Sequence, residues 1–211
     1  MRMSKNVTGR AAGVVALLAV AAGCSVLEPR PDGSRYFMLR SMPDPASPAP
    51  PLEDLVLGLG PVTVLDQNEM LDLVGPYELK YSAQNRWVEP LGDQIYHTLA
   101  NNLHAELGAD AIVAHPWYAS DGVDIQVDVS FDPIRLDPSG AWSGGGAWVV
   151  RNPDTRVALE RNSFDFVLGT DSIPPEDIAR GISDELGQLA TEIASGVRRH
   201  YTRQETQRRN E

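Results

Sequence analysis

The chain has 211 residues, 42% of them hydrophobic and 22% charged, with 18 glycines and 16 prolines; this is the composition of one folded domain and excludes a collagen-like fibre, a coiled coil or a disordered chain. Lys plus Arg number 18 against 29 Asp plus Glu, a formal charge of −11, which offers a polyphosphate no basic surface and excludes nucleic acid as the expected partner. A single cysteine can build neither a disulfide framework nor a multi-thiolate metal site, so its thiol serves some other purpose.

Arg2, Lys5 and Arg10 precede an uninterrupted run of apolar or small residues at 11–22, the n-region and h-region of a secretory signal. A membrane-spanning helix needs about 20 apolar residues, so this stretch is too short to remain as a span. It leads into Ala21-Ala22-Gly23-Cys24, which resembles the lipobox of bacterial lipoproteins, with Ala21 where Leu is more usual. The resemblance implies cleavage before Cys24, a diacylglycerol thioether on its sulfur and an anchor on the membrane rather than through it. Each buried methylene adds about 0.8 kcal/mol, so one chain holds marginally and several hold stably. Cleavage removes three basic residues, leaving 15 against 29 acidic and a mature charge of −14. Such a body is repelled by anionic lipid, and adhesion is expected from the acyl chains with no polybasic segment to help. Ser25, not Asp, follows Cys24, and by the same resemblance the destination is the periplasmic face of the outer membrane.

Residues 36–40 have strand composition, the proline-rich stretch 41–54 is expected to be an extended connection, and 55–64 read as a longer, mostly buried strand. The two strands are candidate sheet neighbours. The run 70–82 divides at Gly75-Pro76 into a hairpin with Leu71, Leu73, Tyr77, Leu79 and Tyr81 at alternate places. After Pro90, apolar residues at Leu91, Ile95, Leu99, Leu103 and Leu107 fall four apart and Gly108 follows, predicting an amphipathic helix with a left-handed stop. A short strand at 111–114 comes next, then Val123 to Phe131 alternate apolar with polar. A meander continues through Trp142 to Arg151, turns at 152–155 and returns to Leu168. Past Pro174-Pro175, Glu176 and Asp177 suit a helix's first turn. Ile178, Ile182, Leu186, Leu189, Ile193 and Val197 define that second helix to near Arg198-Arg199. The polar tail 202–211 is expected to fray.

The order predicts an α+β domain with two amphipathic helices on one face of a mixed, largely antiparallel sheet. Its divisions are a signal peptide at 1–23, a lipidated N-terminus with first strand and proline-rich connection at 24–54, the rest of the single domain at 55–200, and a tail at 201–211.

GxxxxGK[ST], HExxH, GxSxG and CxxC do not occur in the sequence, which weakens a phosphate-cradle, zinc-hydrolase, serine-hydrolase or redox reading. His97, Asn101 and His104 form a stripe on the first helix away from the leucines, expected to be solvated surface rather than metal ligands. Asp121, Asp124, Asp128, Asp132 and Asp137 lack the spacing of a calcium loop and are expected on a solvated strand face. Gly144-Gly145-Gly146 suggests a bulge or flexible strand edge. Trp148 reads as core. Trp117 and Tyr118, placed between Pro116 and Asp121-Gly122, read as loop aromatics suited to a protein interface.

Tyr36 to Leu39, Leu57-Gly58-Leu59-Gly60-Pro61-Val62, the hairpin, and Arg86-Trp87-Val88-Glu89-Pro90-Leu91 together resemble the PqiC-like auxiliary lipoproteins of ABC-type transport systems, over about residues 34–199. Leu65-Asp66-Gln67-Asn68 stands where that family often has a tyrosine-leucine-aspartate-arginine run. Read physically, Pro90 and Glu89 suit a helix start, with Trp87 packed on the sheet. The resemblance implies a non-enzymatic outer-membrane component of a lipid-trafficking machine, without cofactor. Its implied partners are a periplasmic MCE-domain protein and the associated inner-membrane permease, with a membrane held through the acyl anchor. Trp87, Glu89, Trp117 and Tyr118 are the candidate partner-binding residues and Cys24 the lipid attachment site. A homo-oligomeric ring would suit a component that caps a tube. Two rivals stand beside this reading: a lipoprotein adaptor that regulates a cell-wall synthase, and a periplasmic lipid-binding carrier.

Overall fold

The computed structural model describes residues 32–42, 50–52, 54–64, 69–75, 78–109, 111–136, 141–170 and 173–210, and residues from Ser34 onward form one compact unit. Cys24, Tyr77, Asp137 and the centre of the proline-rich stretch lie outside the described residues. Strands β1 (Arg35–Phe37), β2 (Val56–Leu59), β3 (Glu69–Gly75) and β4 (Glu78–Trp87) are followed by helix α1 (Leu91–Leu107) and β5 (Ala111–Ala114). A 3-10 turn at Ala119–Asp121 leads to β6 (Ile125–Leu136), β7 (Ala141–Arg151), β8 (Ala158–Thr170) and helix α2 (Pro175–Arg208).

The architecture is α+β, as the pattern predicts, but with two sheets. The larger runs β5-β2-β6-β7-β8 and is mixed: β2 lies parallel to both β5 and β6, and β6, β7 and β8 form an antiparallel meander. Alternation sends Leu57, Leu59, Ile125, Val127, Val129, Trp148 and Val150 to one face, all buried. The leucine stripe of α1 and the Ile182–Val197 stripe of α2 cover that face, each fully buried aliphatic side chain contributing about 1.5–3 kcal/mol. The smaller sheet runs β1-β4-β3. β3 and β4 pair antiparallel as the hairpin predicts, with Leu71 opposite Tyr81 and Leu73 opposite Leu79.

Two expectations are corrected and a third is narrowed. β1 does not neighbour β2; it pairs in parallel with β4, Phe37 beside Trp87, because the chain after β1 crosses the helices before joining the larger sheet. Gly144–Gly146 sit mid-strand in β7, all three paired to β8 and Gly145 and Gly146 also to β6, with Gly144 facing the register shift between Asp132 and Arg135 of β6; of the two alternatives they mark a bulge, not a sheet edge. α2 does not stop near Arg199: it runs to Arg208. Tyr201 continues its buried stripe, and Arg208 reaches both Glu205 and Asp124. Asp124 and Asp128 are correspondingly paired rather than simply solvated, Asp124 also accepting from the Val56 amide and Asp128 bound to Arg151 at 2.7 Å.

The crossing segment is held by a polar line on the helices. The Leu39 amide donates to Gln94 Oε1 at 2.8 Å, the Arg40 amide to Ser183 Oγ at 3.0 Å and the Met42 amide to Asn102 Oδ1 at 2.9 Å. Gln94 is itself fixed by donating to the Glu89 carbonyl. Beyond the undescribed prolines, the Leu52 amide donates to the Leu107 carbonyl, and Arg198 donates to the carbonyls of Pro50 and Glu106. Gly187 lies directly beneath, where a Cβ would run into the Met42 carbonyl oxygen. Alanine outranks glycine by about 1 kcal/mol in a helix interior, so Gly187→Ala would stabilise a freely solvated position. Here the chemical-denaturation midpoint is expected to fall, with a net loss of about 1–2 kcal/mol once the clash is set against propensity.

Candidate functional site

An apolar cleft of about 70 Å³ opens where the N-terminal halves of both helices meet the larger sheet and the β3–β4 hairpin. Its floor is aromatic: Phe131 from β6, Trp142 from β7, and Phe164 and Phe166 from β8. The glycines of β7 make that floor. Phe166 is cross-strand from Gly144 and Phe164 from Gly146, and both rings occupy the space where those residues' Cβ atoms would stand. Phe164 meets Phe131 edge-on at 5.2 Å between ring centres, a favourable aromatic geometry. Leu91 and Ile95 of α1 form one wall, and Ile182, Leu186 and Leu189 of α2 another. Pro90 at the helix start carries φ −47° and ψ 134°, and the preceding Trp87 closes the side toward the small sheet.

The cleft's polar groups are Asp132 and Glu185. Burial raises the Glu185 carboxyl above its usual range, and the like charges of Asp184 and Glu192 push the same way. The lining suits hydrocarbon, which asks for dispersion and dehydration rather than for hydrogen bonds.

Opposite the helices, the outer face of the larger sheet carries a polar hollow of about 340 Å³. Trp117 lies over Gly58, its indole 3.3 Å from where a Cβ would stand, and meets His115 edge-on at 5.3 Å. Asp128 accepts from Gln126 and Arg151, both at 2.7 Å. Tyr118 stands 73% exposed beside it, its amide held by the Asp121 carboxylate.

The structure thus separates the residues that the sequence singles out. Trp87 is 5% exposed, spent on the core and the cleft wall, so it is corrected from a partner-contacting residue to a packing one. Glu89 is exposed and holds Gln94 through its carbonyl. Trp117 and Tyr118 keep surface on the other side of the sheet. Trp148 is core at 2% exposure, and His97, Asn101 and His104 are exposed. Sequence reasoning misses Phe131, Trp142, Phe164 and Phe166. The signal was there, since three consecutive glycines in a strand leave room that large rings on the flanking strands can fill.

A family model described as "ABC-type transport auxiliary lipoprotein component" matches residues 37–194, and the chain belongs to that family, the PqiC-like one that its sequence resembles. None of the curated proteins matches it. Among solved structures, a Xanthomonas campestris protein of the family DUF330 superposes with a TM-score of 0.61 at 16% identity, covering 82% of this chain and 98% of the other. An uncharacterized protein gives 0.58 at 18% identity, covering 78% and 98%. The PelC dodecamer of Paraburkholderia phytofirmans gives 0.41 at 14% identity, covering 67% and 93%. At these identities the likenesses concern the fold alone.

The raised Glu185 pKa has a definite sign. An acid whose folded pKa exceeds its unfolded one favours folding most when protonated, below the ordinary glutamate range, and loses that contribution as pH rises through the folded value. Glu185→Gln is therefore expected to raise the thermal midpoint at pH 7–8 and to match the native chain near pH 4, as followed by circular dichroism across pH.

Proposed function

We propose that this auxiliary lipoprotein is a non-enzymatic, lipid-anchored fitting at the periplasmic face of the outer membrane. It docks a periplasmic MCE-domain protein that bridges to an inner-membrane permease, and so supports lipid transport and envelope integrity. The observation that carries this reading is a transport-auxiliary domain whose sole cysteine closes a secretory h-region. Such a cysteine ties the domain to a bilayer, and the domain is then free to serve as a docking piece. Trp117 and Tyr118 supply the aromatic surface from which protein interfaces draw their strongest contacts.

Cys24→Ser is expected to move the protein out of the outer-membrane fraction and to weaken the envelope's resistance to detergent. Tyr118→Ala, at an exposed position that the core does not use, is expected to cut co-purification of the MCE-domain protein about thirtyfold, the effect of losing one strong interface residue. A cell-wall synthase recovered in its place would establish the adaptor reading instead.

The cleft favours a second reading in addition, that the domain itself takes up one acyl chain. Ile182→Trp, which fills the cleft with an apolar ring, is expected to abolish retention of radiolabelled phospholipid during detergent-free purification while leaving the circular-dichroism spectrum unchanged. Retention equal to that of the native chain would refute it.

A further inference from the structure

We infer that the outward face of β1 and the end of β4 is a membrane-contact surface, seated on the phospholipid layer that carries the acyl anchor; the inference rests on the lipid-anchor reading of Cys24. Phe37 and Trp87 are cross-strand partners and both point inward, so their neighbours Tyr36, Met38, Arg86 and Val88 project the other way. The Val88 amide continues the ladder by donating to the Phe37 carbonyl at 2.9 Å, which keeps Met38 and Val88 on that same outer face. Tyr36, Met38 and Val88 are 59%, 58% and 56% exposed. Three large apolar side chains presented together on a two-strand surface are costly in water and ask for a cover.

Charge and chain length identify the cover. Residues 34–42 contain Arg35 and Arg40 and no acid, and Lys80 and Arg86 add two more cations on β4. Arg35 is engaged by Glu176, and across the β3–β4 pair Arg86 stands opposite Glu69 and Lys80 opposite Asp72; Arg40 is exposed on the acid-free segment, with Glu89 the acid beside Val88. A mature chain of charge −14 thus presents, beside its apolar β1 face, the segment 34–42 with two arginines and no acid, where a basic residue near an anionic surface adds attraction. A tyrosine beside aliphatic side chains and arginines is the mixture that settles at headgroup depth. β1 is also the first element after the anchor. Seven residues lie between Cys24 and Asp32, eight steps that fully extended span about 29 Å at most, which bounds how far β1 can stand from the anchor.

The test uses the acylated full-length protein in vesicles of phosphatidylethanolamine and phosphatidylglycerol. The thioether occupies the Cys24 sulfur, so a new cysteine takes a nitroxide label alone. Labels at Met38→Cys and Val88→Cys are expected to be accessible to oxygen and shielded from a water-soluble nickel chelate, while labels at Tyr118→Cys and Val167→Cys remain open to nickel. Removing Arg40 or Arg86 by Arg→Gln is expected to lower the ratio of shielded to open Met38 label about fivefold per charge, and vesicles of phosphatidylcholine alone to lower it likewise. Protein that floats with the vesicles while its Met38 and Val88 labels stay open to nickel overturns this proposal and leaves the anchor reading intact. Shielding that arises only on addition of a protein partner also overturns it. Protein that fails to float overturns the anchor reading and this proposal with it.

Discussion

Burying a stretch of non-helical backbone between two helices is possible only if its amides find acceptors, because an orphaned buried N–H costs about 1–3 kcal/mol. The chain that leaves β1 meets this constraint with side chains of the helices themselves: Gln94 and Asn102 of α1 and Ser183 of α2 accept from Leu39, Met42 and Arg40. Those acceptors are themselves almost wholly buried, so helix pair and strap each complete the other. The two sheets are connected through this seam. Residues 38–42 lead away from the small sheet, and Leu52, bound to the C-terminal carbonyl of α1, delivers the chain to β2 in the large one. Gly187 keeps the helix surface low enough for the strap to lie down, and Arg198 ties the far end to both Pro50 and Glu106.

The helices were legible in the sequence because apolar residues four apart describe one stripe, and the left-handed Gly108 at φ 56° ends α1 where the pattern stops. The hairpin and the meander were legible for the corresponding reason in strands. The seam was not. Gln94, Thr98, Asn102 and Glu106 also recur four apart, but a polar stripe beside a leucine stripe is ordinarily the water side of an amphipathic helix, and nothing local distinguishes an amide that faces solvent from one that accepts from a strap. The pairing of β1 with β4 was hidden likewise, since strand order across separate sheets is a tertiary choice. The last turns of α2 were misread because the buried stripe ends at Tyr201 and the helix beyond it is held by polar contacts, the exposed Arg208 reaching Asp124 and Glu205, which hydrophobic periodicity does not register.

The candidate sites follow the same division. Helix-side positions of β6, β7 and β8 hold the aromatic floor of the cleft, and outward positions of β2 and β6 hold Gly58 under Trp117 and the Asp128–Arg151 pair. A one-residue shift of register in β7 would exchange these faces and destroy both. The triple glycine therefore carries shape rather than flexibility: it sits in a central strand, and rings from the next strand fill the Cβ space of Gly144 and Gly146. Trp87 illustrates how a motif that looks like a recognition element can be structural. It closes the cleft and packs the small sheet, while the exposed part of its motif is Arg86, Val88 and Glu89.

Net charge, finally, is an average that describes no single face of a folded protein. Read over the chain, −11 implies repulsion from an anionic surface. Read over the fold, the carboxylates are distributed unevenly: Asp124, Asp128 and Glu160 are engaged by arginines, and Glu185 on α2 is raised by burial and, after it, by the like charges of Asp184 and Glu192. The segment 34–42 has none. Because electrostatic attraction to a membrane fades within about 8 Å at physiological ionic strength, what a bilayer senses is the charge of the face set against it, not the charge of the whole. A chain acidic as a whole can therefore still set a carboxylate-free segment against an anionic surface, and in this fold residues 34–42, which run through β1, are such a segment.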